Sequence, residues 1–172
     1  QETIFKDHSD YLFFLTLFKN YLEASVDIYA YCLMSNHFHF LIRVKDSTLT
    51  KQVNFTSHCF RKLFQHYAIW FNKKYYRTGS VFQKYFKRLE VRKDNHLKYL
   101  VWYIHFNPKK HEFVADLRDY EYSSICTYTR NTESIINVQE ALSWFNNDLF
   151  EFIEFHAALQ EEWIIRNLII ED

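Results

Sequence analysis

Glycine and proline are almost missing from this chain: Gly79 and Pro108 are the single examples of each in 172 residues. A phosphate-cradling Walker loop, a dinucleotide fingerprint and a nucleophile elbow each need at least two glycines at fixed spacing, so all three are excluded. The expectation is a protein with no nucleotide cofactor. Cysteine is nearly as scarce. Cys32, Cys59 and Cys126 lie far apart, with no Cys-x-x-Cys pair, and read as small buried hydrophobes in a reducing compartment. No run of about 18 apolar residues occurs, so neither a membrane span nor a membrane partner is expected. The first residues, Gln1-Glu-Thr-Ile-Phe-Lys6, carry no basic-then-apolar export signal. One cytoplasmic domain with a C-terminal extension is the expectation.

Aromatic residues make up 20% of the chain, ample bulk for a core. The net charge of zero conceals a strong asymmetry. Between Arg61 and Lys98 eleven lysines and arginines face Glu90 and Asp94, a local net charge of +9, whereas Glu133 to Asp172 carries −8. That pattern suits a polyanion-binding body with an acidic tail, although two solvated helix faces of opposite sign would read the same.

Ser9 or Asp10 is placed to cap a helix ending at Leu22, whose Leu12, Leu15, Phe18 and Leu22 follow helical spacing. Val26–Met34 and His37–Val44 read as the two arms of a hairpin joined by Ser35-Asn36. Ser47 to Lys74 predicts a long helix, and Val81 to Arg92 alternates as a strand does. A further helix, capped by Asp94, runs to about Asn107 and stops near Pro108. Leu97, Leu100, Val101 and Ile104 form its apolar stripe, with Tyr99, Tyr103 and Asn107 on a neighbouring face. His105 and His96 read as surface or supporting residues, and His58, His66 and His156 carry no motif. Residues 1–128 form the expected domain and 129–172 an acidic helical extension.

The chemistry concentrates in Tyr31-Cys-Leu-Met-Ser-Asn-His-Phe-His-Phe-Leu-Ile-Arg-Val44. Side chains two apart on a strand share a face, so His37 and His39 project together while Phe38 and Phe40 turn to the core. Two neutral imidazoles on one rigid element make half of a divalent-metal site. A bare His-x-His is equally one core and one surface histidine, so the rest of the chain must decide. An amide oxygen from Asn107 would complete a set for Mg²⁺ or Mn²⁺, and Tyr103 would attack a phosphodiester activated by that ion. Between strand and helix lie Lys73, Lys74, Tyr75, Tyr76, Arg77, Lys84, Lys87, Arg88 and Arg92, cations interleaved with aromatics. Cations draw phosphates and aromatic faces stack unpaired bases, a combination suited to single-stranded nucleic acid.

The 31–44 stretch resembles the HUH motif of the single-tyrosine transposases that move bacterial insertion sequences. Arg77-Thr-Gly-Ser-Val-Phe-Gln-Lys-Tyr-Phe-Lys-Arg88, Tyr103-Ile-His-Phe-Asn-Pro108 and Asp119-Tyr-Glu-Tyr-Ser-Ser124 resemble the branch associated with repeated extragenic palindromes (REP). The resemblance covers roughly residues 1–125. It implies an α+β, ferredoxin-like sandwich with a central antiparallel sheet and helices on one or both faces, followed here by a helical tail. It also implies metal ligands at His37, His39 and Asn107, a nucleophile at Tyr103, and cleavage of single-stranded DNA beside hairpins through a 5′-phosphotyrosine. Ser35, Tyr85 and Glu112 stand where the pattern has Pro, Pro and Gly, which alters turns and not chemistry. The strand that the pattern places ahead of Gln1 is absent from this sequence.

The expected function is therefore a metal-dependent strand transferase with hairpin-bearing single-stranded DNA as partner, acting as monomer or homodimer and associated with the nucleoid. Two other readings remain open. One is a domesticated protein that binds hairpins without cutting them, and the other is a hydrolase of small phosphoesters using the histidine pair alone.

Overall fold

A computed structural model describes residues 2–45, 55–83, 87–92, 96–130 and 134–159. It is α+β, as expected: an antiparallel hairpin of β1 (Val26–Leu33) and β2 (Phe38–Val44), with six α-helices among the described residues. The helices are α1 (His8–Leu22), α2 (Phe55–Lys74), α3 (Leu97–Lys110), α4 (Ile125–Arg130), α5 (Val138–Ser143) and α6 (Leu149–Ala158), with a 3₁₀ turn at Leu117–Asp119. None of the described helices is long and apolar enough to cross a membrane. The chain divides into two compact units, both drawing on the hairpin: 1–27, 33–38 and 42–88, then 28–32, 39–41 and 89–172.

In the first unit α1 begins one turn earlier than expected. Asp7, in extended conformation, is the cap. Its carboxylate accepts from the Ser9 and Asp10 amides, while Asp10 accepts from the Asp7 amide, a reciprocal capping box. The buried stripe is Tyr11, Phe14, Phe18 and Leu22, joined by Leu17; Leu12 is 50% exposed. An almost wholly apolar run offers several stripes, and the aromatic partners on α2 select one. Phe14 meets Tyr67 edge-on at 5.2 Å, and Phe13 lies 4.3 Å from Trp70.

The strand expected over Val81–Arg92 is not formed among its described residues, 81–83 and 87–92. Phe82 instead enters an aromatic cluster, 4.9 Å from Phe64 and 6.2 Å from Phe38. Packing of one large ring here outweighs the weak two-residue alternation around it. The expected helix start at 47–54, Lys84 to Phe86, the proposed cap Asp94 and the tail beyond 159 lie outside the described residues.

In the second unit α3 runs two residues past Pro108 and ends at Lys110. The stop comes from a Schellman turn, in which the Phe113 amide donates to Pro108 O and the Glu112 amide to Lys109 O. Glu112 occupies the left-handed position with φ of 60°. A glycine suits that conformation best, which explains the glycine of the family pattern. Of the expected stripe Val101 and Ile104 are buried, Leu97 and Leu100 only half-buried, and Trp102, Tyr103, His105, Asn107 and Pro108 are buried in addition.

β1 is an edge of its sheet, and the chain downstream occupies it. The Ser124 amide donates to Tyr31 O, the Tyr31 amide donates to Ser124 Oγ, the Asn137 amide donates to Ile28 O, and the Tyr128 hydroxyl donates to Tyr29 O. The Asp119-Tyr-Glu-Tyr-Ser-Ser124 motif thus supplies hydrogen-bond partners to the backbone of β1.

Candidate active site

His39 and Tyr103 lie within the second unit, one on β2 and one on α3. Their rings meet edge to face with centroids 5.8 Å apart. Tyr103 is 8% exposed. The Lys110 Nζ sits 5.5 Å from the same ring's centroid, so the phenol is bordered by an imidazole and an ammonium. One turn along α3, Asn107 is 1% exposed. Its Nδ2 donates to Tyr103 O at 2.9 Å, and its Oδ1 has no hydrogen-bond partner among the described residues. A buried amide oxygen left unpaired normally costs about 1–3 kcal/mol, so such a group points to a missing partner. The carbonyl beneath it needs a donor, which fixes the amide orientation.

His37 belongs to the first unit, just ahead of β2. Its Nδ1 lies 2.7 Å from Asn36 Oδ1. An amide oxygen only accepts, so Nδ1 carries the proton and Nε2 the lone pair. That tautomer places on Nε2 the lone pair a metal ion would take. Each of His37 and Asn107 by itself has a donor type that suits a divalent ion: an imidazole of set tautomer in the first unit, and in the second a buried amide oxygen with no partner among the described residues. Among the described residues no three His, Cys, Asp or Glu side chains are grouped to hold a metal. The candidate set differs in including Asn107.

Tyr99, the other tyrosine of this helix face, packs on Phe155 of α6 with ring centroids 5.4 Å apart. That neighbour is a phenyl ring, whereas the Tyr103 ring is bordered by an imidazole and an ammonium.

The basic, aromatic loop is more internally engaged than the sequence suggests. Lys74 Nζ contacts Asp7 Oδ2 and Asp10 Oδ1, each at 2.7 Å, and Ser9 Oγ at 2.6 Å. Burial opposes its charge, but the bonds to Asp10 and Asp7 hold its pKa above the usual lysine range. The bond from Lys74, followed by that from Ser9, holds the Asp7 carboxyl well below the ordinary carboxylate range. Tyr75 donates to Asp10 at 2.9 Å, and burial pushes its phenol up to about 12. Arg77 pairs with Glu2 at 2.9 Å and lies over the Phe71 ring. Tyr76 is 98% exposed at φ of 50°, and Lys73, Lys87, Arg88 and Arg92 are exposed. Arg92 pairs with Glu90 at 3.0 Å. Lys84 lies outside the described residues.

The sequence reading missed one buried network altogether. His105 is wholly buried, not a surface residue, and His156 is 6% exposed. His156 Nδ1 lies 2.7 Å from Phe152 O and must donate to it, leaving Nε2 to accept from His105 Nδ1 at 3.0 Å. His105 Nε2 then accepts from Ser124 Oγ at 2.8 Å, and Ser124 accepts from the Tyr31 amide at 2.9 Å. Every proton has one place and every ring is neutral. Burial, with His156 alongside, lowers the His105 pKa well below its ordinary value; burial brings His156 to about 4. The Ser124 motif was a usable signal for this network, but nothing local marks His156.

One curated relative is a protein of Haemophilus influenzae provisionally named a REP-associated tyrosine transposase. It is 28% identical over 99 residues, which cover 55% of this chain and 56% of the relative. The chain thus spans about half the length of the relative it matches. No family model and no solved structure matches the chain.

Proposed function

We propose that this chain is a transposase-type enzyme that cuts and rejoins single-stranded DNA beside hairpins, with Tyr103 as nucleophile. The observation that carries the reading is the setting of Tyr103: its ring lies against His39 and Lys110, one helical turn from a buried Asn107 Oδ1 that has no partner among the described residues. The similarity to a protein named as a REP-associated tyrosine transposase supports the same class of DNA chemistry. In the proposed step Tyr103 Oη bonds to phosphorus and the P–O3′ bond breaks. The phenol loses its proton and the departing 3′-oxygen gains one, leaving a 5′-phosphotyrosine. The number of phosphodiester-type bonds is conserved, so rejoining needs no nucleotide hydrolysis. That agrees with a chain too poor in glycine for a phosphate-binding loop.

His37 and His39 imidazole nitrogens with Asn107 Oδ1 would hold Mg²⁺ or Mn²⁺. When bound, such an ion polarises the phosphate and stabilises the leaving oxygen. His37 is assigned to this set because it lies two residues from His39 in sequence, and Asn36 fixes its tautomer. Exposed Tyr76, with Lys73, Lys87, Arg88 and Arg92, would receive the single strand, while Lys74, Tyr75 and Arg77 hold the loop that presents it.

The test is incubation with labelled hairpin-bearing single-stranded DNA and Mn²⁺, followed by denaturing electrophoresis. A denaturation-resistant adduct is expected from the wild type and from Tyr99→Phe. Tyr103→Phe should bind DNA without forming it, and His37→Ala or His39→Ala should lose both adduct and Mn²⁺ binding. Hairpin binding with no adduct in the wild type would replace this reading with the non-cleaving one.

A further inference from the structure

Tyr103, Asn107 and Lys110 stand at i, i+4 and i+7 on α3, so one face carries all three along two turns. Side chains on a helix lean toward its N-terminus, which carries the Lys110 stem back over Asn107 toward the tyrosine. Its ammonium ends 5.5 Å from the centre of the Tyr103 ring, and the side chain is half-buried. Lys109, beside it in sequence, is exposed instead. A lysine held over the nucleophile's ring is within a short swing of any phosphate that the phenol oxygen attacks.

Resting on the strand-transfer reading above, the geometry points to Lys110 as a further catalytic residue. Its ammonium donates a hydrogen bond to a non-bridging oxygen of the phosphate under attack. Negative charge grows on those oxygens as the Tyr103 oxygen approaches phosphorus, so a cation already placed there favours the transition state over the bound substrate. No bond to Lys110 forms or breaks, and the ammonium keeps its protons throughout. A sequence search for basic residues directs attention to the 72–93 loop. There Lys74 and Arg77 are engaged by Asp10 and Glu2. A cation set against the candidate nucleophile lies elsewhere, in the last turn of the nucleophile's own helix.

The experiment measures single-turnover adduct formation at saturating hairpin DNA for wild type, Lys110→Met and Lys110→Arg, with melting curves to establish that each folds. Loss of one charge-stabilising donor predicts a rate about 10²-fold lower for Lys110→Met, with affinity nearly unchanged and partial recovery in Lys110→Arg. The same comparison is made on DNA whose scissile phosphate carries a methylphosphonate in place of the contacted oxygen. Both diastereomers are assayed, and on one of them the wild-type advantage over Lys110→Met should collapse toward unity, which a purely structural lysine would not produce. An equal advantage on all substrates, equal rates on native DNA, or a loss confined to affinity overturns the assignment. A wild type that forms no adduct on native DNA overturns the strand-transfer reading, and this one with it.

Discussion

Acidification from pH 7 to 4.5 should weaken the second unit through the His105–His156 pair, before any carboxylate contributes. Among the described residues His156 is faced by His105, the Phe152 carbonyl, the Trp102 indole and the rings of Phe145, Phe152 and Phe155, and by no charged side chain. A native pKa of about 4 stands against 6.5 for an ordinary histidine. The unfolded chain takes up the proton below 6.5 and the native chain refuses it until about 4, so stability falls as pH drops through that window. At 1.36 kcal/mol per pH unit the full loss from His156 is about 3 kcal/mol, and His105 adds to it in the same direction. The depressed carboxyls of Asp7 and Asp116 lose their contribution only below their ordinary value of 3.8, so the two effects separate on the pH axis. Urea unfolding followed by tryptophan fluorescence suits the assay, because the Trp102 Nε1 donates to His156 O. In a His105→Phe/His156→Phe variant Ser124 Oγ retains Tyr31 O at 3.2 Å as an alternative acceptor, so the fold should survive. Its stability should be flat between pH 6.5 and 4.5. A wild type equally flat there, or a variant that keeps the full slope, would refute the reasoning.

Three further outcomes are expected. Glu112→Gly should stabilise the chain by up to about 1 kcal/mol by relieving the left-handed residue after α3, and an unchanged or lower melting temperature counts against the strain. Lys74→Met should destabilise by about 2 kcal/mol in chemical denaturation, since it strips the wholly buried Asp10 of its counter-charge; a neutral result would mean the remaining donors suffice. Tyr76→Ala should weaken single-strand binding by about 1–3 kcal/mol in fluorescence anisotropy and leave duplex binding unaltered, and equal effects on both would remove the stacking role.

Local pattern was enough to read the hairpin, since Val26–Leu33 and Phe38–Val44 alternate around a polar break and each lies within a residue of its expected bounds. The α3 helix was legible too, but its end was not. A proline in the last turn loses only one amide donor, and the Schellman bonds at Glu112 and Phe113 carry the helix past it. Val81–Arg92 misled because period-two alternation of basic and aromatic residues describes a solvated segment as well as a strand, and Phe82 had a better partner in Phe64. Of the candidate site, local pattern put Tyr103 on a helix and His39 on a strand, whereas the meeting of their rings is a long-range contact that spacing alone does not give. The neutralisation of Lys74 by Asp7 and Asp10 could not be read either, because those acids lie more than sixty residues away in sequence. The buried histidine pair was hidden for the same reason, with 51 residues separating its members.

The occupation of β1 bears on assembly. Hydrogen-bonding positions at Ile28, Tyr29 and Tyr31 are already taken by Asn137, Tyr128 and Ser124, two of them through side-chain hydroxyls that cannot hand the ladder on to another strand. A second copy of the chain, or an extended peptide, could not join the sheet along Ile28–Cys32 without first evicting the Ser124 segment and, with it, the hydroxyl donor that orders His105. Sheet-to-sheet polymerisation along this stretch is thereby coupled to dismantling the support of the helix that carries Tyr103, a safeguard against self-association written into the same serine.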